Sequence, residues 1–498
     1  MQNKTCQKQN NTYRYNRYLK TGLTIGLLLM PVAAFAQQSP TTTALPAPLT
    51  LQAAVAAALK LQPDLTAATA NKDASAQRLK QTQANYYPTV RPTFTYSNQY
   101  NYGTVNRFIT SDGGGGTVVP VSQGSSSETR QGEIALSYRV LDSGTRELNN
   151  RQARQNLSAQ EYSAANTRQS VITTVAENYF SALRTAALVK VSEAQVARAQ
   201  NTLEVVRAQV DSKVAARKDT YQAEADLLNA QVALQQARNN AALAQANLKN
   251  AIGVVGGETL TLADVTAPTE ATPTTATLEN GTSLPAVSTD DAASINQLAE
   301  LAYHARPDIA QSQKSVEASH TSIRLAQVNA GISAALDVSA GYQYEPSGGS
   351  NRQVNLSLSY PLFDGGLVRS QVRETQAQKR AVDAQLTGLK QQVAVEVEQA
   401  YRTLAQSRVS LPAARSAQEA AEINYQAALE SRREGVGSIV EVITAQTSLV
   451  QAQQNYVQAV YDFYTADAQL ARAVGQADRI AQGTQGTATT TTPGGTMP

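Results

Sequence analysis

The chain has 498 residues, with 42 Lys and Arg against 39 Asp and Glu, a formal charge of +3, six Phe, no Trp and one Cys. The basic excess belongs to the first 36 residues, where Lys4, Lys8, Arg14, Arg17 and Lys20 stand without a single acid; removing those 36 leaves 462 residues carrying −2, so nucleic acid is not implied as a partner. Few large aromatics with abundant Ala and Gln make poor material for a big globular core and good material for closely packed helices.

In chain order, the basic region is followed by an apolar core over Thr21 to Met30 and by Ala34-Phe35-Ala36, a small-residue cleavage site. Residues 1–36 therefore read as a secretory signal, with the mature chain expected to begin near Gln37. Cys6 lies in the discarded part, so no disulfide is expected. No later stretch holds eighteen consecutive apolar residues, and any membrane role must come from strands.

A Pro/Thr tether over 37–48 leads to a helical stretch from Thr50, a candidate N-cap, to Asn85. Within it Gln62-Pro63-Asp64-Leu65 is echoed by Arg306-Pro307-Asp308-Ile309, an offset of 244 that also pairs Leu79 with Ile323 and Asn85 with Asn329. Tyr87-Pro88 and Arg91-Pro92 end the helix, and Phe94, Tyr96, Tyr100 and Tyr102 mark a strand. A Gly/Ser-rich loop containing Gly113 to Gly116 then joins a second strand that closes in Leu136-Ser137-Tyr138-Arg139-Val140-Leu141-Asp142-Ser143-Gly144. The second half repeats this as a strand over Leu336 to Tyr344, the turn Glu345 to Gly349, and an alternating strand closing in Leu358-Ser359-Tyr360-Pro361-Leu362-Phe363-Asp364-Gly365-Gly366.

From that junction onward the offset is 222, so 22 extra residues sit in the first hairpin, where they are expected as an exposed loop insertion. Pro361 suits the end of a ladder, because it cannot donate to a neighbouring strand. Arg139 and Ser143 stand where the second copy has Pro361 and Gly365, so the first junction is expected to bend less freely.

Beyond the junctions the halves keep register for over a hundred residues: Val171 matches Val393, Tyr179 Tyr401, Ala223 Ala445, Leu248 Leu470 and Gly253 Gly475. Such register indicates an internal duplication. The first repeat spans 37–253, with a β-hairpin at 88–140 and a helical hairpin at 145–252. The second spans 291–475, with hairpins at 333–361 and 367–474. Residues 254–290 form a linker, and 476–498 a Gly/Thr tail expected to be disordered.

Val442, Leu449, Tyr456, Phe463 and Leu470 step by seven, and Val196, Ala199, Leu203, Val206 and Val210 alternate three and four, which is coiled-coil spacing. Breaks at 215–218 and 435–438 turn each long helix back on itself. The descending helices, about Thr145 to Val214 and Leu367 to Glu434, span roughly 100 Å at 1.5 Å per residue. The returning and entering helices are half as long, so a uniform tube results only if one of each stacks end to end. Four strands of ~9–11 residues can cross a membrane when tilted. They cannot close a barrel, and open edges are not tolerated in lipid, so several copies must pool strands. Three copies give twelve.

This order of elements resembles the TolC family of outer-membrane efflux proteins over nearly the whole mature chain. The resemblance is carried by Tyr87-Pro88 at helix exit, Tyr360-Pro361-Leu362-Phe363-Asp364-Gly365-Gly366 at re-entry, and Gly435-Val436-Gly437-Ser438-Ile439-Val440-Glu441-Val442 at the far turn. It implies a mainly α fold with a transmembrane β-barrel: a homotrimer whose twelve-stranded barrel in the outer membrane continues as an α-helical coiled-coil tunnel through the periplasm. Partners would be a periplasmic adaptor (membrane fusion protein), an inner-membrane transporter and outer-membrane lipid.

It also implies a periplasmic gate, with Asp219 and Glu441 on the family's constricting positions. Adaptor docking would fall on the tip turns Val214, Ala215, Ala216, Gly435, Val436, Gly437 and Ser438. Pro88, Tyr138, Gly144, Tyr360, Pro361 and Gly366 would form the barrel–tunnel junctions. A second family carboxylate would fall on Thr444, which cannot ionise, and a basic tip residue near Gly437 is missing, although Arg432 and Arg433 lie close by; the closing network is expected to be weaker or differently wired. Read from the residues alone, Asp219 and Glu441 are equally helix N-terminal acids complementing the macrodipole. Tyr86, Tyr87, Tyr96, Tyr100, Tyr102, Tyr342, Tyr344 and Tyr360 favour an interfacial girdle over simple strand formers.

No enzyme signature is present. His304 and His320 are sixteen apart without a metal-ligand pattern, Gly113 to Gly116 lack a following Lys-Ser/Thr, and no cofactor is expected. The sequence reading is a passive exit duct of a tripartite efflux system. Two alternatives stand beside it: the outer-membrane component of a type I protein secretion system, and, from another class, a periplasmic coiled-coil adaptor or scaffold.

Overall fold

The computed structural model describes residues 47–110, 116–254, 256, 260–264, 291–345, 348–434 and 436–482. The signal segment, most of the linker, Gly113 to Gly115, Gly435 and the tail beyond Gln482 lie outside the described residues. The elements run α1 Leu51–Leu61, α2 Pro63–Ala84, β1 Thr89–Thr110, β2 Gly116–Leu141, α3 Thr145–Asp211, α4 Arg217–Ile252, α5 Asp291–Ala305, α6 Pro307–Val328, β3 Ser333–Glu345, β4 Gly349–Ser359, α7 Leu367–Arg433, α8 Ile439–Ala473 and α9 Asp478–Gln482. No helix among the described residues is long and apolar enough to cross a membrane.

The entering helix, expected as one piece, is two. Pro63 and Pro307 each sit at the first position of a new helix, where the missing N–H costs nothing, and α1 and α5 end just before them. Thr50 caps α1 by accepting from the Ala53 amide at 3.2 Å. These two breaks are where the returning helices arrive. α4 ends at Gly253 in a left-handed conformation (φ 84°), and a Cβ there would lie 2.8 Å from the Leu61 carbonyl oxygen. α8 ends at Gly475 (φ 83°), whose Cβ would lie 2.9 Å from the Ala305 carbonyl carbon. Only glycine combines that backbone with that approach. α2 therefore packs along one half of α3 and α4 along the other, while α6 and α8 do the same beside α7. The end-to-end stacking that helix lengths require is present in both repeats.

The second joint is fastened by charge. The buried Arg306 binds both Asp308 carboxylate oxygens (3.1 and 2.7 Å), Glu396 on α7 (2.7 Å) and the Ala473 carbonyl of α8 (3.2 Å). The first repeat has Gln62 in its place and relies on apolar packing instead, with Ile172, Val175, Tyr179, Leu248 and Ile252 in one core. Tyr179 lies within hydrogen-bond distance of the Leu49 and Ala263 carbonyls (3.0 and 2.8 Å), and burial pushes its hydroxyl up to about 12.

α3 and α7 are 67 residues each. α4 packs on α3, α7 on α8, and α3 on α8, so α4 and α7 flank the helical layer. Polar pairs cross the α3–α8 seam: Glu177 with Gln469, Arg184 with Asp462 and Arg198 with Gln453.

The strands form one antiparallel sheet in the order β1-β2-β3-β4. β4, at 11 residues, matches the expected length and β3, at 13, runs slightly over it, but β1 and β2, at 22 and 26 residues, are twice as long. The 22 extra residues do not form a loose loop. β1 and β2 pair over 22 rungs and β3 and β4 over 11, and eleven additional rungs of two residues absorb the whole insertion.

Candidate functional site

The residues singled out in the sequence gather at three places in this architecture: the sheet, the junctions and the helical tip. Side chains alternate across a strand, and the register decides which share a face. Val90, Pro92, Phe94 and Tyr96 on β1 lie level with Leu136, Ile134, Gly132 and Arg130 on β2. Leu336, Val338, Ala340 and Tyr342 on β3 continue that face, as do Val354, Leu356 and Leu358 on β4. It is apolar and largely exposed. The opposite face carries Arg91, Thr93, Thr95, Glu133, Ser137, Asp337, Ser339, Gln353, Asn355 and Ser357, with the Ser137 hydroxyl donating to Asp337 at 2.6 Å. One face is built for hydrocarbon and the other for water.

Tyr342 lies level with Ser350, and Tyr360 is ten residues beyond Ser350. That is about 33 Å of strand, or about 25 Å of height at a ~40° tilt, the height of a membrane barrel's apolar band. Tyr96, Tyr342 and Tyr344 stand at one end of the band, and Tyr138 and Tyr360 at the other. Tyr100 and Tyr102 lie farther out, on the part of β1 that β3 and β4 do not flank. Tyr86 and Tyr87 precede β1. The Tyr86 hydroxyl donates to Glu147 on α3 at 2.8 Å, which makes it a junction residue and not part of a girdle.

The junctions share a device that the sequence reading passed over. Asp142 accepts from the Gly144 and Arg146 amides (3.2 and 3.0 Å), and Asp364 from the Gly366 and Val368 amides (2.8 and 2.9 Å). Each carboxylate closes the turn and satisfies an orphan amide of the following helix. These backbone bonds hold Asp364 below the usual carboxylate range. Gly144 and Gly366 both have φ 86°. Ser143, expected to restrict the bend, adopts φ 52° beside Gly365 at 62°, so the two junctions turn alike. The Ser143 hydroxyl donates to the Ile332 carbonyl at 2.8 Å, and this contact holds a serine in a conformation that glycine takes freely. Pro88 directly precedes β1, and Pro361 follows the last β4 rung at Ser359.

At the tip the two turns have one geometry. Val214 and Ala215 donate to the Gln209 carbonyl, and Val436 and Gly437 donate to the Ser431 carbonyl, 222 residues on. Ala216 precedes α4 without a side-chain cap, whereas the Ser438 hydroxyl accepts from the Glu441 amide at 3.1 Å. Gly435 lies outside the described residues. Asp219 and Glu441 fall in the first turns of α4 and α8.

Asp219 is not a free carboxylate. Arg432 stands 3.8 Å from it, with side chains 21% and 15% exposed, and also donates to Gln209 Oε1 at 2.9 Å and the Gly437 carbonyl at 3.3 Å. One guanidinium thus ties α7 to α3, to α4 and to its own turn. Beneath it, Ile439 of α8 packs among Leu203, Val206 and Ala223. Glu441 stays exposed beside Thr444 and Ser448 in an open groove between α7 and α8. Among the described residues Asp219 is linked to Arg432 and not to Glu441. Arg432 was visible in the sequence as a nearby base, but its reach across the hairpins was not. No group of His, Cys, Asp or Glu among the described residues is arranged to hold a metal ion.

Two segments, residues 54–254 and 298–476, match the family model described as outer membrane efflux protein. No curated protein matches the chain in sequence. Among solved structures, the open state of the MtrE outer membrane channel of Neisseria gonorrhoeae is similar over 87% of this chain and 91% of its own, at 18% identity and TM-score 0.67. VceC of Vibrio cholerae matches over 85% and 96% at 18% identity and TM-score 0.64. The CmeC channel of Campylobacter jejuni matches over 86% of both chains at 16% identity and TM-score 0.65. At these identities the likeness is one of fold.

Proposed function

Because the chain belongs to the outer membrane efflux protein family, we propose that three copies join their four-stranded sheets into a twelve-stranded barrel and act as the passive exit duct of a tripartite efflux system. The protein resides in the outer membrane and extends into the periplasm. The observation that carries the reading is the two-faced sheet: an apolar face of membrane height backed by a polar one, with open edges at β1 and β4 that lipid does not tolerate. The flanking helices support the same closure. Tyr221, Leu228, Val232 and Leu243 on α4 and Val395, Val409 and Ile423 on α7 are exposed apolar side chains on the two outer helices. A coiled-coil scaffold would have no use for the sheet.

In this reading solutes enter at the helical tip, handed over by a periplasmic adaptor and an inner-membrane pump that supplies the energy. The tip turns at 214–216 and 436–438 are the docking surface. Asp219 and Glu441 of three copies ring the constriction, where carboxylates favour cations. Outer-membrane fractionation tests the assembly: heat-modifiable trimers are expected, and a soluble periplasmic monomer would sink the proposal. Asp219→Ala with Glu441→Ala is expected to raise single-channel conductance in planar bilayers. Unchanged conductance would leave both residues as helix-terminal acids.

A further inference from the structure

Two turns of α4 above Asp219, a second polar contact joins the helical hairpins. Gln446 on α8 is 1% exposed although it carries an amide. Its Nε2 donates to Asp226 Oδ2 on α4 at 3.1 Å, and its Oε1 is buried with no hydrogen-bond partner among the described residues. A buried acceptor left unpaired is costly, and an ionised carboxylate has no proton to offer it.

The charged and titratable neighbours come from every helix around the pair. α3 contributes Arg198, whose Nη2 is bonded to Gln453 at 3.2 Å, and α7 contributes Tyr425 and Glu422; Arg198, Glu422 and Asp226 each lie within electrostatic range of Tyr425. The Asp219–Arg432 pair lies one heptad nearer the tip. No salt bridge reaches Asp226 among the described residues, and its described partner is Gln446. Burial pushes its carboxyl above the ordinary value, and the Gln446 hydrogen bond opposes that only in part.

We propose that Asp226 and Gln446 form a proton-dependent latch between the two helical hairpins, closed by a two-bond ring when Asp226 is protonated. In that state the Asp226 O–H donates to Gln446 Oε1 while Gln446 Nε2 keeps its bond to the other carboxyl oxygen, so the orphan acceptor is satisfied. The proton comes from bulk water and returns there on ionisation. A group whose pKa is higher in the closed state stabilises that state at low pH and loses the contribution as pH rises through its folded value. Acidification therefore zips the hairpins together. The inference rests on reading the tip as the end that opens.

The test uses full-length trimers in detergent with spin labels on Asp211→Cys and Glu434→Cys, at the tip ends of α3 and α7, and reads hairpin separation without ion flow. Between pH 7 and 4 the separated population of the otherwise wild-type chain is expected to fall, by at most about tenfold per pH unit for one proton. Asp226→Asn reproduces the protonated pair, donating to Oε1 and accepting from Nε2, and is expected to stay closed at both pH values. Asp226→Ala is expected to stay separated at both. A pH-independent wild type, or an Asp226→Asn chain that responds like wild type, would overturn the latch. A channel that fails to conduct while the distances shift as described would instead count against the duct function.

Discussion

Replacing Arg432 with Met keeps the aliphatic stem and removes the charge that ties the hairpins together at the tip. The bond to Gln209 Oε1 at 2.9 Å is charge-assisted and half-buried, a class worth about 1.5–3 kcal/mol. The contact to the Gly437 carbonyl is long at 3.3 Å, and the 3.8 Å pair with Asp219 is partly solvated; together they add about 1 kcal/mol or less. A loss of roughly 2–3 kcal/mol per protomer shifts a closed-to-open ratio by roughly 30- to 150-fold, since about 1.4 kcal/mol is a factor of ten. Purified trimers of Arg432→Met in planar bilayers should therefore spend far more time in a high-conductance state. Arg433→Met is the control: it loses only an exposed pair with Glu430 three residues away. Traces of Arg432→Met that match wild type, or an equal effect from Arg433→Met, would refute the assignment of the tie to Arg432.

On β4, Leu356→Arg should lower trimer stability by about 2–4 kcal/mol if its face meets lipid. Asn355→Arg, one residue away on the polar face, should leave assembly intact and move ion selectivity toward anions, read as a reversal-potential shift. Gly253→Ala combines a left-handed backbone with a 2.8 Å approach to Leu61 and should cost roughly 2–4 kcal/mol. Gly144→Ala shares the left-handed backbone but has nothing within 4 Å and should cost about 1–2 kcal/mol, so the gap between their melting temperatures measures the joint. Burial alone would raise Asp308, but hydrogen bonds and charge from Arg306 hold it below its ordinary value. Its stabilisation is thus present above the usual carboxylate range and lost as pH falls through it, and Asp308→Asn should flatten the stability profile below pH ~4.

The duplication, the helix lengths and the strand parity were legible because each depends on periodic patterns that survive in a single chain. The tip was less so. The fates of Asp219 and Gln446 depend on Arg432 and Asp226, which lie more than two hundred residues away and on another hairpin, and no local spacing announces such pairs. Pro63 lies within a stretch that composition reads as one helix, and its missing amide begins a new one there. The aspartates of the two junctions stand inside the most conspicuous repeat of the chain, but only the folded turn shows the amides that they accept from. Ser143 shows the limit of residue-type arguments: a single contact with Ile332 outweighs a poor backbone preference.

The eleven additional rungs of β1 and β2 have a consequence for how such a chain diversifies. Residues added at the far end of a hairpin in pairs lengthen both strands together, and no side chain already in place changes from oil to water. A single residue inserted within a strand would exchange the two along everything beyond it. Reach outside the cell is therefore a nearly free variable, about 36 Å of ladder here at ~3.3 Å per rung, while the stretch within the bilayer is held to a fixed count. The far end of the hairpin can lengthen or shorten without altering the stretch that crosses the bilayer.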